Sequence, residues 1–386
     1  MTINGRPKPI FHSSDVPPSL GCLRCPDFQL CGGLQNLEGV FNCESFCDCE
    51  DESACQRVCR RKLPEYIDRV HEIRGFDLRD IPRYQPVPTH SLPYVVPHIY
   101  HRSKRVSELS YPAVSVSLGQ LFDHHSGVAK YSSKAEVAEA FRFAPTAALI
   151  INGVSEDQPI EHYWTHRKAT ALAEKLALLT PSLVTAPNYS VFTNVPRWDN
   201  MFSIKRIGIC WSELIAARIP ASLHLNARTD QDWCRWTDFV FEREEVNSVT
   251  FEFATGAAVK DRARYHIDKL ATLARKVNRD LQLVVRGGYI YLKELADAFN
   301  EVVFIDTTAF MKTMKRKRLD WAPGRKKRWP SSFTPKGFPL DNLLFHNVDT
   351  HAAMIAFERL SPSPSHAQET ISSEKPFIDE RQGRLF

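Results

Sequence analysis

Eight of the ten cysteines lie in one short stretch near the start of the sequence, and thiolates at this density bind metal ions. They are Cys22, Cys25, Cys31, Cys43, Cys47, Cys49, Cys55 and Cys59. Tetrahedral zinc takes four thiolates and a 4Fe–4S cluster also takes four, so eight cysteines suffice for two such sites. We therefore predict a metal-binding module over residues 1–62, with zinc as the metal and a 4Fe–4S cluster as the alternative.

A disulfide knot is the competing interpretation of these cysteines. The polar start of the sequence has no apolar signal-peptide core, so we expect a cytoplasmic protein whose thiols stay reduced. No stretch approaches the roughly 20 apolar residues that span a bilayer, and we expect no membrane partner. The remaining cysteines, Cys210 and Cys234, lie in helical segments among apolar residues. We expect both to be buried and unreactive.

The run from Cys22 to Gly33, spaced C-x2-C-x5-C-G-G, resembles the start of the auxiliary-cluster domains of radical-SAM enzymes. This resemblance implies a 4Fe–4S cluster. The C-x3-C-x2-C triad that holds the catalytic cluster of those enzymes is absent, because Cys49 follows Cys47 too soon. We therefore do not predict radical chemistry, and a cluster-dependent redox enzyme is kept only as an alternative function.

From residue 111 onward, short apolar or β-branched runs alternate with longer amphipathic stretches, which is typical of βα units and a parallel sheet. We predict strands at residues 113–117, 147–151, 183–186, 221–225, 248–253, 281–285, 302–305 and 343–345. Eight units in about 250 residues match a (β/α)8 TIM barrel, so the predicted fold is α/β with that barrel at residues 111–360. Residues 63–110 are interpreted as a linker or wrapping arm, and residues 361–386 as a disordered tail.

Alternation within two of these strands supports closure into a barrel. In residues 222–226 the leucines would face the helices and leave Ser222, His224 and Asn226 toward the axis, and Glu252 would point inward from the next strand. A doubly wound open sheet instead needs apolar residues on both faces of its central strands. The alternation therefore favours the barrel.

The predicted strand ends carry many amide and hydroxyl groups and few carboxylates. Barrel enzymes place their chemistry at these ends, and amide side chains pair with the donor and acceptor edge of a heterocycle without adding charge. We therefore predict a site for a base-like ligand, formed by Asn152, Asn188, Asn226, Gly256, Arg286, Gly287 and Gly288.

Three segments, residues 250–256, 283–288 and 303–310, resemble strands five, six and seven of the tRNA-guanine transglycosylase superfamily. The resemblance implies that Gly287 and Gly288 contact a 7-deazaguanine base. It also implies that Asp306 is the nucleophile that captures the sugar, with its carboxylate open to the barrel mouth. Glu252 is the second candidate catalytic carboxylate. The alternative for Asp306 is a structural cap on the helix that follows.

Two departures from that family affect the expected substrate. An amide, Asn152, stands where the second catalytic acid of the family ends a strand, so proton transfer is unassigned unless Glu156 or Asp157 reaches in. The family's C-terminal zinc site is also missing. The distant branch that inserts 7-deazaguanines into DNA, in phage and bacterial modification clusters, tolerates such departures better. We therefore expect DNA rather than tRNA as substrate, a base such as 7-cyano-7-deazaguanine, and protein partners from the same modification system.

Nine basic residues and one acidic residue lie between Met311 and Trp329. Such density gives salt-sensitive affinity for a polynucleotide, and Trp321 and Trp329 could stack on exposed bases. The predicted nucleic-acid contacts are Lys315, Arg316, Lys317, Arg318, Arg325, Lys326, Lys327 and Arg328. The alternative is a solvated basic loop on a barrel that binds a nucleotide or modified base without catalysis, within a defence or mobile-element assembly.

Overall fold

The computed structural model describes residues 69, 71–101, 104–191, 197–254, 260–335 and 337–360. The predicted cysteine module, Gly256 and the predicted C-terminal tail lie outside these residues. None of the helices in the described part is long and apolar enough to cross a membrane.

Eight parallel strands form one sheet in the order β1-β8-β7-β6-β5-β4-β3-β2. They are β1 Val95–Pro97, β2 Ala113–Ser117, β3 Ala148–Asn152, β4 Leu183–Thr185, β5 Ala221–His224, β6 Ser248–Glu252, β7 Gln282–Arg286 and β8 Glu301–Asp306. The two ends of this order meet at a parallel bridge between His98 and Ser115. The Ile99 N–H donates to the Ser115 carbonyl across the same seam at 2.9 Å. The sheet is therefore a nearly closed eight-stranded barrel, which excludes the open doubly wound sheet.

Most helices of the described residues connect successive strands, and the last two follow β8. They are α1 Lys134–Phe141, α2 Asp157–His166, α3 Leu172–Ala177, α4 Arg197–Ala216, α5 Asp230–Glu242, α6 Lys260–Val277, α7 Leu292–Ala296, α8 Thr308–Met314 and α9 Asp341–Leu360. Local sequence fixes several of their ends. The start of α5, for example, has a capping box in which Thr229 and Asp232 bind each other's backbone N–H groups.

Alternate residues of each strand separate into an inner and an outer set. The outer set packs with the helices in the main hydrophobic core. The inner set includes a small apolar cluster formed by Leu92, Val96, Ala113, Ile150, Leu183, Val284, Val303 and Ile305. Near the strand starts, the hydroxyl of the inner residue Ser248 lies 2.9 Å from both the Ser222 hydroxyl and the Gln282 side-chain oxygen. These polar groups are therefore satisfied inside the barrel near the strand starts.

Seven of the eight predicted strands are confirmed, and the eighth is wrong. Residues 343–345 lie inside α9, and the remaining strand of the barrel is β1, Val95–Pro97. This strand lies within residues 63–110, the stretch interpreted as a linker or wrapping arm, so the barrel begins before residue 111. The run Leu-Leu-Phe of α9 has no feature that separates a short buried strand from a buried helix segment.

Candidate functional site

The barrel mouth, meaning the carboxyl ends of the strands on the axial side, contains a buried ion pair. The Arg286 guanidinium donates to the Glu252 carboxylate with an Nη1–Oε2 distance of 2.9 Å. The other carboxylate oxygen accepts from the Ala254 N–H at 3.0 Å. Burial raises the pKa of Glu252, and the charge of Arg286 opposes that shift. The predicted inward position of Glu252 is therefore confirmed, and its carboxylate already has two partners.

Two histidines share this mouth. His98 and His224 are each 1% exposed. Burial, helped by the charge of Arg286, lowers the pKa of each histidine to about 3. The Nδ1 atom of His98 is 2.9 Å from the Ser115 hydroxyl oxygen. Both imidazoles are therefore neutral near pH 7, and they add hydrogen-bonding atoms to the mouth without adding charge.

Several buried nitrogen atoms in this mouth have no hydrogen-bond partner among the described residues. They are Nδ2 of Asn152, Nδ1 of His224 and Nε of Arg286. The oxygen of the Asn152 amide accepts from the Val154 N–H at 3.1 Å and the Thr185 hydroxyl at 3.2 Å, which fixes the orientation of the amide. Buried polar groups without partners are costly in a folded protein. The mouth therefore offers positioned nitrogen atoms to a polar ligand.

The other two predicted asparagines form a pair of their own. The Asn226 amide donates to the Asn188 side-chain oxygen at 2.9 Å and to the Tyr189 carbonyl at 3.0 Å. The Asn188 N–H in turn donates to the Gly153 carbonyl at 3.1 Å. These contacts join the segments after β3, β4 and β5, so the pair shapes the rim of the mouth and has already used part of its hydrogen-bonding capacity.

The glycine pair after β7 lies directly against the residues that follow β6. Gly287 and Gly288 have φ values of +74° and +66°. A Cβ atom on Gly287 would lie 2.6 Å from the Ala254 nitrogen, and one on Gly288 would lie 2.8 Å from the Phe253 Cβ. Both a left-handed backbone and a close approach therefore require glycine at these positions. This turn places Tyr289 beside the mouth, while contact with a base stays a prediction.

Asp306 is not placed as the sequence predicts. Its neighbours Val303 and Ile305 belong to the inner apolar cluster, and Phe304 belongs to the core shared with the helices. Asp306 therefore lies on the helix-facing side of β8, where Nδ1 of His351 on α9 donates to the carboxylate at 2.7 Å. The Thr308 N–H donates to its other oxygen at 2.7 Å. The carboxylate does not open into the mouth, and the bond to Thr308 matches the alternative of a structural role at the start of α8.

The basic residues after α8 form a hairpin, here called the basic hairpin, residues 316–332. Antiparallel bridges join Lys317 to Ser331 and Asp320 to Arg328. Arg325, Lys326 and Arg328 are exposed, and in the described part of the chain none of the three takes part in an ion pair. The hairpin therefore presents uncompensated positive charge to solvent, as a phosphate-binding surface requires.

One side of the basic hairpin touches residues that follow the strand ends. The Lys327 ammonium lies 4.1 Å from the centre of the Tyr289 ring and donates to its hydroxyl. The Trp329 ring lies 5.9 Å from the ring of His351. Trp321 packs against Phe357 on α9 with ring centres 5.7 Å apart. The hairpin is thus attached to the barrel beside β7 and β8, and one edge or face of Trp321 is already in contact with an aromatic ring of the protein.

Four residues of this region were not predicted as site residues from the sequence. They are His98, Tyr100, Tyr289 and His351. Tyr100 is a side-chain hydrogen-bond partner of Arg286. His98 and Tyr100 follow β1, which was not predicted as a strand, so their place at a strand end had no visible signal. His351 lies 45 residues from Asp306 along the chain, and no spacing rule connects them.

The two cysteines outside the cluster differ from each other. Cys210 is buried, as predicted, and burial raises the pKa of its thiol to about 12. Cys234 is exposed, so the prediction that it is buried is wrong. It lies on α5, whose neighbouring residues Trp233 and Arg235 are buried, and a helix turns adjacent residues to different sides.

The described residues thus define an eight-stranded barrel protein with a polar mouth and a basic hairpin beside it. Comparison with protein-family models and with curated proteins gives no match for this chain. The likeness to the transglycosylase superfamily therefore rests on the strand-end residues themselves.

Proposed function

We propose that this chain acts on nucleic acid as a transglycosylase-like enzyme that exchanges guanine for a 7-deazaguanine base in DNA. The observation that carries the proposal is the set of buried nitrogen atoms without partners in the mouth, on Asn152, His224 and Arg286. A purine-like base presents oxygen and nitrogen atoms along one edge, and it can satisfy several of these groups at once.

Glu252 supplies the carboxylate for this reaction, because it faces the axis and Asp306 does not. The bond between C1′ of the nucleotide and N9 of guanine breaks with its electron pair going to N9, which takes up a proton. A Glu252 oxygen forms a bond to C1′. In the incoming base, the ring nitrogen equivalent to guanine N9 loses its proton. It then attacks C1′ and displaces the Glu252 oxygen. Burial raises the pKa of Glu252, and the charge of Arg286 opposes that shift and favours the ionised form. Asp306, which the resemblance implies as the nucleophile, is the second candidate, but it would first have to leave His351 and turn toward the mouth.

The basic hairpin holds the phosphate backbone of the substrate. Its contacts with Tyr289 and His351 set it beside the ends of β7 and β8. If the substrate is a duplex, the target nucleotide must leave the base stack, at a cost on the order of a few kcal/mol. Backbone contacts made by the hairpin would offset that cost.

A binding protein without catalysis is the second candidate function, and one observation favours it. Both carboxylates already have cationic or donor partners, since Glu252 is paired with Arg286 and Asp306 with His351. A barrel that only recognises a nucleotide or a modified base, within a defence or mobile-element assembly, needs no free carboxylate.

Incubation with duplex DNA and labelled 7-cyano-7-deazaguanine separates these functions. We expect the wild type and Asp306→Asn to incorporate label, and Glu252→Gln to lose incorporation. Asp349→Asn, which changes an exposed carboxylate on α9, is the matched control. Loss of incorporation in Asp306→Asn alone would return the nucleophile role to Asp306. If the wild type binds the free base without incorporating it, the second function holds, and absence of both binding and incorporation rules out both functions.

The cysteine-rich segment, residues 1–62, is proposed to carry zinc that shapes a nucleic-acid-binding module. Elemental analysis of the purified full chain measures the metal, and thiolate-bound zinc gives no visible absorption. Iron with a broad visible absorption band would instead support the cluster-dependent alternative.

A further inference from the structure

Four histidines form a cluster on the outside of the barrel, away from the groups used above. His162 and His166 lie one turn apart on α2, with ring centres 6.3 Å apart and ring planes within 5° of parallel. The His124 ring lies 5.7 Å from His162 and is parallel to it within 8°. His125 lies 6.3 Å from His162. Side chains four residues apart on a helix face the same way, so His162 and His166 can reach one ion together.

The loop that carries the other two histidines is held rigidly against α2. The Asp123 N–H donates to the Val128 carbonyl, and the Gly127 N–H donates to the Asp123 carbonyl, both at 2.8 Å. Gly127 has a φ of +70°, and a Cβ atom there would lie 2.3 Å from the Cβ of His166. Only glycine lets the loop approach α2 so closely, and the approach brings His124 and His125 beside the helical pair.

One ring in the cluster is already oriented as in metal sites. The Nε2 atom of His124 is 2.6 Å from the Gly119 carbonyl oxygen. A carbonyl oxygen only accepts, so Nε2 carries the proton and Nδ1 keeps its lone pair. Metal-binding histidines almost always donate their second ring N–H to a carbonyl or carboxylate in this way. His124, His162 and His166 are also partly exposed, so an ion from solvent can reach them.

We propose that this histidine cluster binds one divalent transition-metal ion, and that the ion bound in nature is Zn²⁺. The ligands are Nδ1 of His124 and one ring nitrogen each of His162 and His166, with His125 or water in the fourth position. As the side chains stand, no three histidine, cysteine or acidic groups of the described residues are placed to hold an ion together. Rotation of the exposed rings must therefore bring their nitrogens to about 2.0–2.1 Å from the metal. A bound ion would tie the loop after β2 to α2.

Titration of the full-length chain with Cu²⁺, followed by electron paramagnetic resonance, tests this proposal. Imidazole nitrogens split the copper signal, whereas ligation by the cysteine thiolates does not produce that splitting. Free thiols reduce Cu²⁺ to Cu⁺, which gives no signal, so the cysteines of every protein are first blocked by alkylation. The wild type should then show the splitting at one equivalent of Cu²⁺, and Zn²⁺ should displace it. The double variant His162→Gln/His166→Gln should lose the splitting and bind at least about 100-fold more weakly.

The matched control is His71→Gln/His90→Gln, which removes two exposed histidines outside the cluster. It should bind Cu²⁺ as the wild type does. Thermal unfolding without metal should be the same for all three proteins, because the substituted rings are exposed or partly exposed. Zn²⁺ should raise the Tm of the wild type more than that of the cluster variant. Identical copper spectra and affinities in the wild type and the cluster variant would overturn the proposal.

Discussion

Asp306 and His351 are joined by a hydrogen bond of 2.7 Å that ties the end of β8 to the middle of α9. The two side chains are 2% and 1% exposed, so neither has water as an alternative partner. With Thr308 on its other oxygen, Asp306 fixes both the start of α8 and the position of α9. The residue that most resembles a nucleophile in the sequence is therefore a tertiary link in the folded protein.

Asp306→Ala and His351→Ala should each lower the free energy of unfolding by about 1–3 kcal/mol, because each leaves a buried polar partner unpaired. The double variant should lose less unfolding free energy than the sum of the two single losses. The difference, which is the coupling energy between the two side chains, should be roughly 0.5–3 kcal/mol. Urea unfolding measures these values. Asp349→Ala, at an exposed position on α9, should change stability by no more than about 0.5 kcal/mol. Additive effects would show that the two residues do not stabilise each other.

Stability should fall in acid because of the neutral histidines in the mouth. The pKa of His224 is lowered from 6.5 to about 3 in the folded chain. Below pH 6.5 the unfolded chain binds a proton that the folded chain does not bind. The stability from the neutral ring is therefore complete above that pH and is lost as the pH falls toward 3.

His224→Gln should make the dependence of unfolding free energy on pH shallower by about 1 kcal/mol per pH unit, between about pH 6 and pH 4. Denaturant unfolding at several pH values measures this slope. His90→Gln, at an exposed position, should keep the slope of the wild type. Equal slopes in the wild type and His224→Gln would mean that His224 is already protonated in the folded protein.

Gly287→Ala and Gly324→Ala separate backbone strain from crowding. Gly287 and Gly324 have nearly equal φ values of +74° and +75°. A Cβ on Gly324 would meet nothing within 4 Å, whereas one on Gly287 would meet the Ala254 backbone at 2.6 Å. Gly324→Ala should cost about 1 kcal/mol from the left-handed backbone alone. Gly287→Ala should cost roughly 2–4 kcal/mol, because the end of β7 must also move away from Ala254. Thermal unfolding compares them, and equal losses would remove the crowding argument.

Charge reversal in the basic hairpin should weaken polynucleotide binding. The variant Arg325→Glu/Lys326→Glu/Arg328→Glu should bind duplex DNA more weakly, and the slope of log K against log salt should fall by about 0.9 per lost phosphate contact. Fluorescence anisotropy over a range of salt concentrations measures both effects. The control Lys168→Glu/Lys175→Glu/Arg275→Glu makes the same charge change at exposed positions outside the hairpin. Equal losses in the two variants would indicate a general charge effect.

Residue alternation was sufficient to predict most of the barrel. Ser222 and Thr250 are hydrogen-bonded to each other at 2.6 Å inside the barrel, as the polar and apolar pattern of β5 and β6 requires. Strand β1 was missed because it has three residues, ends in proline and lies in a stretch without a periodic pattern. Proline is tolerated there because the following residue, His98, supplies the N–H that bonds to the Asp306 carbonyl.

The site was predictable only where the strand pattern determines side-chain direction. Glu252 and Arg286 occupy inner positions on neighbouring strands, and both were identified from their place at strand ends. The direction of Asp306 depends on the register between β8 and its neighbours, and a motif match carries no register. His351 reaches Asp306 through the packing of α9, which was taken for a strand. Long-range packing of this kind has no local signal in a single sequence.

The seam at His98 and Ser115 has a consequence for how the protein forms. During synthesis β1 emerges before the seven other strands. Its hydrogen-bonded partner strand, however, is β8, which lies more than 200 residues later in the chain. Until β8 has been made, β1 can join the nascent sheet only at the single bridge to β2. Closing so long a loop is slow and entropically costly. Completion of the cylinder, and with it the assembly of His98 beside Arg286, must therefore wait until β8 has left the ribosome.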